Sequence, residues 1–347
     1  MSDQHPTHTN IPMRYVGPLI IIGQTEKYSV KVPLATFETP LWPSVNRGAR
    51  ASATGNGITT AIVHDALARS VAVETPTCRR ASELIAQLRD EKEALFSVAE
   101  STSRYLKCTD LNFRLVGSTV YLRLSGSTGD ASGHNMITKG ADAVLKWICE
   151  NNPDVRHISV TSNYCTDKKV SSVNAILGRG KYVIAETLLS REICDRILKT
   201  TPEAVVELNI KKNLQGSIIN GGVQSANAHF ANMLLAIYLA TGQDAANIVE
   251  GSQGMTTAEV RGDNLYFSVS LPNVIVGTVG SGKDLEGTKA ALMSLGCLEK
   301  RGCGDNSRRL AEIVAGTVLC GELSLLAAQT KPGELVRSHM KLERKKK

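Results

Sequence analysis

The sequence predicts an α+β protein: a large mixed helix/sheet domain built around a central buried helix, with an inserted ferredoxin-like (βαββαβ) small domain. Three observations lead to this prediction. A length of 347 residues suits about two domains. Residues 71–161 read as strands and helices in the order β-α-β-β-α-β. Residues 226–240 are apolar on more than one helical face, which is typical of a buried helix.

The small domain is predicted element by element from its pattern and its turns. A Gly117-Ser118 turn separates the two middle strands, and the first helix is charged and amphipathic. Because the ends of this unit enter and leave a larger body, residues 71–161 are an insertion, and residues 1–70 and 162–347 form the large domain. The predicted elements are strands at 71–74, 111–116, 119–124 and 155–160, and helices at 81–99 and 134–150.

Composition narrows the class of protein. Hydrophobic residues make up 42% and charged residues 21% of the chain, as in ordinary soluble proteins. The eight cysteines are scattered without a Cys-x-x-Cys pair, and no secretory signal is recognisable at the N-terminus. Reduced thiols in the cytoplasm are therefore expected, and no metal site is predicted. No apolar run reaches the roughly 20 residues that span a bilayer, so no membrane association is expected.

The chain carries a formal net charge of +7 and a basic tail at residues 341–347. A short terminal cluster of this kind is usually solvated, and neither interleaved aromatic residues nor a helix-turn-helix pattern accompanies it. We therefore expect no nucleic-acid partner. A basic surface is better suited to concentrating small ligands that carry phosphates.

The clearest candidate for chemistry is the segment 161–169, which follows a predicted strand. Asp167, Lys168 and Lys169 stand together there. Lysine cations can bind a carboxylate or stabilise a developing oxyanion, and an adjacent aspartate can orient one of them. Taken alone, the same residues also fit an ordinary solvated loop.

Two glycine-rich segments are candidates for phosphate binding. Residues 126–133 precede a predicted helix, whose first N–H groups lack partners, although an ordinary capped loop has the same pattern. Residues 277–283 nearly spell a P-loop, but Asp284 occupies the place of the hydroxyl that would bind magnesium. An NTP-binding enzyme using Gly277 to Lys283 remains an alternative, which magnesium-dependent ATP binding lost in Lys283→Ala would support.

Several separated motifs, in order between about residues 11 and 344, resemble those of the 3-hydroxy-3-methylglutaryl-coenzyme A (HMG-CoA) reductases of class I type, in a soluble, microbial-like form. The motifs are Ile11-Pro12, Gly17-Pro18-Leu19, Val32-Pro-Leu-Ala-Thr36-Phe-Glu38, Asn46-Arg47-Gly48, Gly129 to Met136, Thr161 to Lys169, Lys212-Asn213-Leu214, Asn227 to Asn232, Ala240 to Asp244, Gly277 to Gly280, Gly321 to Ala328 and Leu335 to Met340.

The resemblance implies an oxidoreductase of the mevalonate (isoprenoid) pathway. It would reduce HMG-CoA to mevalonate and coenzyme A by two successive hydride transfers from NADPH, with NADH less favoured; an NAD-dependent degradative reductase is the alternative. The resemblance also implies that the small domain binds the dinucleotide without a Rossmann fold. The assembly would be a homodimer or homotetramer with the active site at the subunit interface.

The resemblance further implies roles for individual residues. Lys168 would stabilise the oxyanion and His339 would protonate the departing thiolate. Glu38 would protonate the aldehyde oxygen, with Asp244 tuning Glu38 and Lys168. The implied substrate-binding residues are Arg69, Ser162, Asp167, Lys169 and Lys212. The implied coenzyme A ligands are Ser44, Asn46, Arg47, His229 and Asn232. The implied cofactor-binding residues are Arg104, Asp130, Ser132, Gly133, His134, Asn135, Gly280 and Arg344.

The sequence also departs from the family pattern at functional places. Phe37 and Thr39 flank the expected proton donor Glu38. Ser132 and His134 replace methionines in the cofactor loop, and Ser281 replaces a glycine. We therefore expect the surroundings of the glutamate and the packing of the cofactor loop to differ from those of the family.

Overall fold

The computed structural model describes the backbone of residues 9–343, and the side chains of that range except those of residues 338, 339 and 341–343. The fold is mixed α+β, as predicted. The strands of the described range are β1 (Met13–Ile22), β2 (Lys27–Ala35), β3 (Ile58–Glu74), β4 (Lys107–Val116), β5 (Thr119–Ser127), β6 (Arg156–Ser159), β7 (Gly180–Leu189), β8 (Met255–Arg261) and β9 (Asn264–Val274).

Thirteen helices are described in the same range, and π-helical turns continue two of them, at Cys194–Leu198 and Asn209–Gln215. They are α1 (Leu41–Thr54), α2 (Cys78–Asp90), α3 (Lys92–Glu100), α4 (His134–Asn151), α5 (Ser172–Leu177), α6 (Arg191–Ile193), α7 (Pro202–Leu208), α8 (Gly216–Ile219), α9 (Phe230–Ala240), α10 (Ile248–Gly251), α11 (Glu286–Ser294), α12 (Asp305–Gln329) and α13 (Glu334–Glu343).

Strand β3 takes part in two sheets. Its first half, from Thr59 to Ala66, pairs with β7 in a sheet of order β2-β1-β3-β7-β9-β8, which is antiparallel except for a short parallel contact between β1 and β3. Its second half, from Leu67 to Glu74, pairs antiparallel with β5 and, near its end, with β6. Strand β4 completes that second sheet beside β5, giving the order β6-β3-β5-β4.

Each sheet has its own hydrophobic core. The larger core packs α1, α9 and α12 against the six-stranded sheet. The smaller core lies between the second sheet and α2, α3 and α4. Each sheet needs helices of its own, because side chains packed between one sheet and its helices cannot also cover the other sheet.

The apolar segment 226–240 is a helix only from Phe230, where α9 begins, and most of α9 is buried. The longest buried helix is α12, which the sequence analysis did not single out because charged residues interrupt its apolar pattern. Inside the protein these charges are satisfied: Glu312 accepts hydrogen bonds from Gln24 and Tyr28. The close packing of α12 on α1 needs Gly48, since a Cβ there would lie 2.0 Å from the Cys320 carbonyl oxygen.

Helix α12 is long and apolar enough to cross a membrane by length and composition. Its most apolar window is, however, 94% buried within the protein, as expected of a core helix. Within the described residues no other helix of 18 or more residues passes the same test. The burial of α12 therefore explains its apolar composition.

Two predicted boundaries differ from the structure. The predicted helix 81–99 is two helices, α2 and α3, because Glu91 leaves the helical conformation (ψ 16°); Leu88 and Leu95 are nevertheless both buried in the small core. The predicted strand 71–74 is only the end of the 17-residue β3, so position 71 lies within a continuous strand. The remaining elements of residues 71–161 appear in the predicted order.

Candidate active site

A cleft of about 760 Å³ lies where the loops after β5, β6, α9 and β9 meet. We call it the lysine cleft. Charged residues, polar residues and glycines form most of its wall, which suits a polar ligand. Its lining residues are Arg69, Ala131, Ser132, Gly133, His134, Asn135, Met136, Asp167, Lys168, Gly242, Gln243, Asp244, Val279, Gly280, Ser281, Gly282 and Lys283.

Lys168 and Asp244 form the ion pair of this cleft. Lys168 Nζ lies 2.7 Å from Asp244 Oδ2, and both side chains are partly exposed to the cleft. Asp244 Oδ1 accepts a hydrogen bond from the N–H of Ala246 and so caps the short 3₁₀ turn that follows. The sequence predicted these two residues to act together, and the structure brings them into contact.

The pair shifts the ionisation of both partners. The hydrogen bond to Asp244 raises the pKa of Lys168. Burial alone would raise the pKa of Asp244, but the hydrogen bonds from Lys168 and Ala246 and the lysine charge outweigh it and lower that pKa. Lys168 is therefore a stable cation at neutral pH, able to donate to an oxygen that gains negative charge.

A buried layer of charges lies under the loop that carries Lys168. Arg179 is fully buried, with Nη1 2.9 Å from Glu250 Oε1 and 3.0 Å from Asp167 Oδ1. Asp167 Oδ2 lies 3.8 Å from Arg69 Nη1 on the cleft wall. Burial raises the pKa of Glu250, and the charge of Arg179 opposes this effect. The sequence alone does not reveal the contacts of Arg179 and Glu250, because both residues lie outside the segment 161–169 that carries Lys168.

The glycine-rich turn after β5 forms one wall of the lysine cleft. Gly133, with φ 90°, precedes α4, and His134 Nδ1 lies 3.4 Å from Ser132 Oγ. Burial, and next the Arg179 charge, lower the pKa of His134. Asn135 and Gly280 also line the cleft, so five of the predicted cofactor-binding residues lie together.

Asp130 does not line the cleft. Its Oδ2 accepts the N–H of Gly304 at 3.2 Å and its Oδ1 accepts the N–H of Ser307 at 3.0 Å, at the start of α12. Its carbonyl accepts the N–H of Thr278 at 2.7 Å. Both carboxylate oxygens are therefore engaged in joining the turn to α12, a structural role that the sequence pattern could not distinguish from cofactor binding.

A second cleft of about 400 Å³, the Glu38 cleft, contains the predicted proton donor and most of the predicted coenzyme A ligands. Arg47 Nε donates to Ser324 Oγ at 3.0 Å, and Ser44 Oγ donates to the same atom at 3.1 Å. Burial lowers the pKa of Arg47, with the Glu334 charge opposing. The lining residues are Glu38, Pro40, Leu41, Pro43, Ser44, Arg47, His229, Asn232, Ser324, Leu325, Ala328, Gln329 and Leu335.

His229 and Asn232 meet, as the sequence predicted, although His229 precedes α9 rather than lying within it. Asn232 Nδ2 lies 3.3 Å from His229 Nδ1, and His229 Nε2 lies 3.0 Å from the carbonyl oxygen of Gly321. The N–H of His229 also donates to Glu322. Asn46 lies outside this cleft and accepts the N–H of Gly17 beside an adjoining depression that Arg47 shares.

Within one chain the structure does not bring Glu38 to Lys168. Among the described residues, the Glu38 cleft and the lysine cleft have no lining residue in common. The expectation that Asp244 tunes Glu38 and Lys168 together is therefore not met within a single subunit. Separate elements account for this: Glu38 precedes α1, whereas Asp244 follows α9.

Four other predicted site residues lie outside the lining of the lysine cleft. Ser162 Oγ bonds Ser70 Oγ at 2.8 Å, and Lys169 Nζ donates to the Asp167 carbonyl. Lys212 is half-buried and donates to Asn213, and its pKa is lowered by burial. Arg104 stacks on Tyr105, with its guanidinium carbon 4.7 Å from the ring centroid. The side chain of His339 and all of Arg344 lie outside the described residues.

The P-loop alternative is not supported. Lys283 Nζ donates to the carbonyl of Gly242, and the lysine side chain is largely buried, which lowers its pKa. A phosphate-binding lysine has to present its ammonium group to the ligand. Lys283 instead ties the loop after β9 to the segment that carries Asp244.

A family model described as hydroxymethylglutaryl-coenzyme A reductase matches residues 3–344. The chain is 43% identical over 336 residues to the 3-hydroxy-3-methylglutaryl-coenzyme A reductase of Aeropyrum pernix, which covers 96% of this chain and 79% of that protein. The chain belongs to the hydroxymethylglutaryl-coenzyme A reductase family. The predicted family, and an enzyme that reduces HMG-CoA, are confirmed.

Other similar proteins carry the same reductase name. The Pyrococcus abyssi protein of the same name is 44% identical over 340 residues, covering 96% of this chain and 82% of that protein. The chain spans 64% of the rice reductase 1. A solved class II reductase from Streptococcus pneumoniae, described as bound to NADPH, superposes with a TM-score of 0.75 at 18% identity, covering 98% of this chain and 80% of that chain. At that identity the likeness shows a shared fold.

Proposed function

We propose that the protein reduces HMG-CoA to mevalonate and coenzyme A with NADPH, as a biosynthetic enzyme of class I type. The observation that supports this most is the 2.7 Å Lys168–Asp244 pair in the wall of the lysine cleft. Conversion of a thioester to a primary alcohol takes up four electrons, so two NADPH and two protons are consumed for each mevalonate. When bound, the reduced nicotinamide supplies the hydrides, which no side chain can supply.

Lys168 is proposed to stabilise the oxygen that becomes negative as the thioester carbonyl is reduced, and again as the aldehyde is reduced. Asp244 keeps the ammonium group protonated and directed at the cleft. His339 is proposed to protonate the departing thiolate of coenzyme A, and Glu38 the aldehyde oxygen.

The lysine cleft is a suitable place for the nicotinamide end of NADPH. Gly280 and Gly282 line it with φ of 103° and 81°, and no atom would contact a Cβ at Gly280, so a ligand can approach the backbone closely there. Ser132, Gly133, His134 and Asn135 are proposed to contact the cofactor from the opposite turn. Arg104 and Arg344 are proposed to bind the 2′-phosphate of NADPH. Asp130 is proposed to hold the turn in place rather than to bind the cofactor.

Substrate and coenzyme A are proposed to be bound by the remaining predicted residues. Arg69 and Asp167 line the lysine cleft, and Ser162, Lys169 and Lys212 would complete the binding of the carboxylate end. Ser44, Arg47, His229 and Asn232 line the Glu38 cleft, where coenzyme A would lie, with Asn46 at its edge.

Residues 71–161 are proposed to be an inserted ferredoxin-like domain that binds the dinucleotide. Supporting this are the antiparallel order β6-β3-β5-β4 and a separate hydrophobic core. The order is that of the split βαββαβ motif. The large domain would then comprise residues 1–70 and 162–347.

We further propose a homodimer or homotetramer in which Glu38 of one subunit meets Lys168 of another. The two residues line separate clefts within one chain. Large apolar side chains are exposed at Phe37, next to Glu38, and at Ile218 and Ile219, which follow the predicted substrate-binding residue Lys212. Exposed apolar clusters are typical of interfaces. Mixing refolded Glu38→Gln and Lys168→Met subunits should restore activity that neither variant has alone; no restoration would place both residues in one subunit's site.

The decisive test of the function is spectrophotometric. Oxidation of NADPH that depends on HMG-CoA and yields free thiol supports the proposal, whereas absence of HMG-CoA-dependent oxidation with either NADPH or NADH would refute it. A cytoplasmic location is also proposed. It is supported by the eight cysteines, all of which lie in the described range and are free.

A further inference from the structure

One short segment of the chain holds both the side chain and the backbone of Lys168. Asp244 contacts its ammonium group, while the backbone N–H of Lys168 donates to Glu250 Oε1 at 3.2 Å. Asp244 begins the 3₁₀ turn Ala245–Asn247, and Glu250 lies in α10, which follows directly. The segment that neutralises the ammonium group therefore also fixes the position of the Lys168 backbone.

The backbone of Lys168 needs such a restraint. Its φ is 54°, in the left-handed region, which a residue with a Cβ adopts rarely. Asn163 and Thr166 of the same loop also have positive φ, of 63° and 49°. A loop with three such residues stays in one conformation only where its surroundings determine it, and such conformations are common at functional sites.

Glu250 is well placed to provide the restraint. It is fully buried, and its Oε1 also accepts hydrogen bonds from Arg179 Nη1 and Asn247 Nδ2, both at 2.9 Å. Arg179 extends to Asp167 Oδ1 at 3.0 Å. The carboxylate thus holds the loop at two neighbouring residues, directly at the N–H of Lys168 and through Arg179 at the side chain of Asp167.

We propose that Glu250 is a positioning residue of the reductase: by accepting the N–H of Lys168 it sets the left-handed turn that aims the ammonium group into the lysine cleft. This inference rests on the proposed function of Lys168. It assigns Glu250 no contact with substrate or cofactor, and Glu250 is absent from the cleft lining among the described residues.

Two conservative variants separate positioning from general stability. Glu250→Asp keeps the negative charge for Arg179 but withdraws the oxygen from the N–H of Lys168. Glu250→Gln keeps an acceptor oxygen at the place of Oε1 but removes the charge that compensates Arg179. If Glu250 positions Lys168, kcat per folded enzyme falls by roughly 10²-fold in Glu250→Asp, the scale expected for an ångström of misplacement. In Glu250→Gln, kcat stays close to wild type while the melting temperature falls.

Asp65→Asn is the matched control. Asp65 lies 3.2 Å from the buried Lys181 and contacts no part of the 163–170 loop through its ion pairs. It should lower the melting temperature without lowering kcat. If kcat instead follows the melting temperature across all three variants, or if Glu250→Asp retains wild-type kcat, Glu250 acts on stability alone and the proposal is overturned.

Hydrogen exchange tests the same contact without substrate, so its outcome does not depend on the proposed function. In the wild-type protein the Lys168 amide should exchange slowly, and in Glu250→Asp it should exchange much faster, with little change at helix α12. Fast exchange of Lys168 in the wild type would overturn the positioning role even if the enzyme reduces HMG-CoA. Slow exchange in an inactive wild type would leave the contact intact and refute the function instead.

Discussion

Lys168 Nζ and Asp244 Oδ2 lie 2.7 Å apart although one residue follows β6 and the other follows α9. The contact joins two loops that lie far apart along the chain. It places a cation on the wall of the lysine cleft, next to a carboxylate that favours its protonated form.

Lys168→Met should reduce both half-reactions by roughly 10²-fold or more, the scale of losing one donor to an oxyanion. Methionine has a similar length but no charge, so the test concerns stabilisation rather than shape. Rates with HMG-CoA and with mevaldehyde are measured on the same preparation. Lys146→Met, which removes an exposed lysine on α4, serves as control and should keep full activity. Near-normal turnover of Lys168→Met would remove Lys168 from the mechanism.

Asp244→Asn should destabilise the protein at pH 7 and make no difference at strongly acidic pH. The pKa of Asp244 is lowered from 3.8 in the folded protein, so its carboxylate stabilises the fold above that value and loses this effect as the pH falls through the folded pKa. The pKa of Lys168 is raised from 10.5, so its share is lost only as the pH rises through its folded pKa.

The expected effect of Asp244→Asn at pH 7 is below about 1 kcal/mol, since the two side chains are 41% and 43% exposed. Urea unfolding at pH 7 and at about pH 2, well below the ordinary pKa of an aspartate, measures it. Asparagine can still cap the 3₁₀ turn, which isolates the charge. Asp263→Asn, at a side chain that is 92% exposed, should change stability at neither pH. An equal loss for Asp244→Asn at both pH values would contradict the ionic explanation.

Gly277→Ala should destabilise the protein and raise the KM for NADPH. A Cβ at Gly277 would lie 2.3 Å from the N atom of Ser132, so the turn after β5 would have to move away from the loop after β9. Overpacking of this kind costs about 1–3 kcal/mol. Thermal unfolding and NADPH titrations measure it. Gly287→Ala, whose Cβ would meet no atom within 4 Å, is the control and should be neutral or stabilising.

His339→Gln should separate the two halves of the reaction. Mevaldehyde has no thiolate to protonate, so a general acid for coenzyme A release is needed only with the thioester. We expect a large loss with HMG-CoA and a much smaller loss with mevaldehyde, because glutamine keeps size but lacks a titratable proton. Both rates are measured on one purified variant. Equal losses would show that His339 serves the packing of the C-terminal segment.

NADPH should be preferred over NADH, and Arg104→Gln or Arg344→Gln should reduce the preference. Either guanidinium can pair with the 2′-phosphate that only NADPH carries. The ratio of kcat/KM values for the two cofactors is the measurement. Arg191→Gln, which removes a surface arginine paired with Glu203, is the control. Equal or better turnover of the wild type with NADH would favour the degradative alternative.

The sequence was most informative where local pattern decides structure. The turn at Gly117, with φ 60°, and helix α4 appear where they were predicted, because turn residues and helical periodicity act over a few positions. Helix α12 escaped notice, since Glu312 and Glu322 look like surface residues until their distant partners are known.

The site was predictable in part for the same reason. Motifs located Lys168 and Asp244, whose contact the structure contains. They could not reveal Arg179 and Glu250, whose importance arises only when folding buries them together under the loop. They also could not show that Asp130 has both oxygens engaged at the start of α12, or that Glu38 faces a different cleft.

Strand β3 couples the stability of the two hydrophobic cores, because it belongs to both sheets. A flexible linker would let one half of the molecule unfold while the other remained folded. Here residues 59–66 of β3 pair in the large sheet, and residues 67–74 of the same strand pair in the small sheet. Loss of either ladder frees residues on which the other is built. The two halves should therefore unfold in one cooperative transition. A destabilising substitution far from the lysine cleft should then lower the temperature at which the cleft unfolds, without altering the chemistry of its residues.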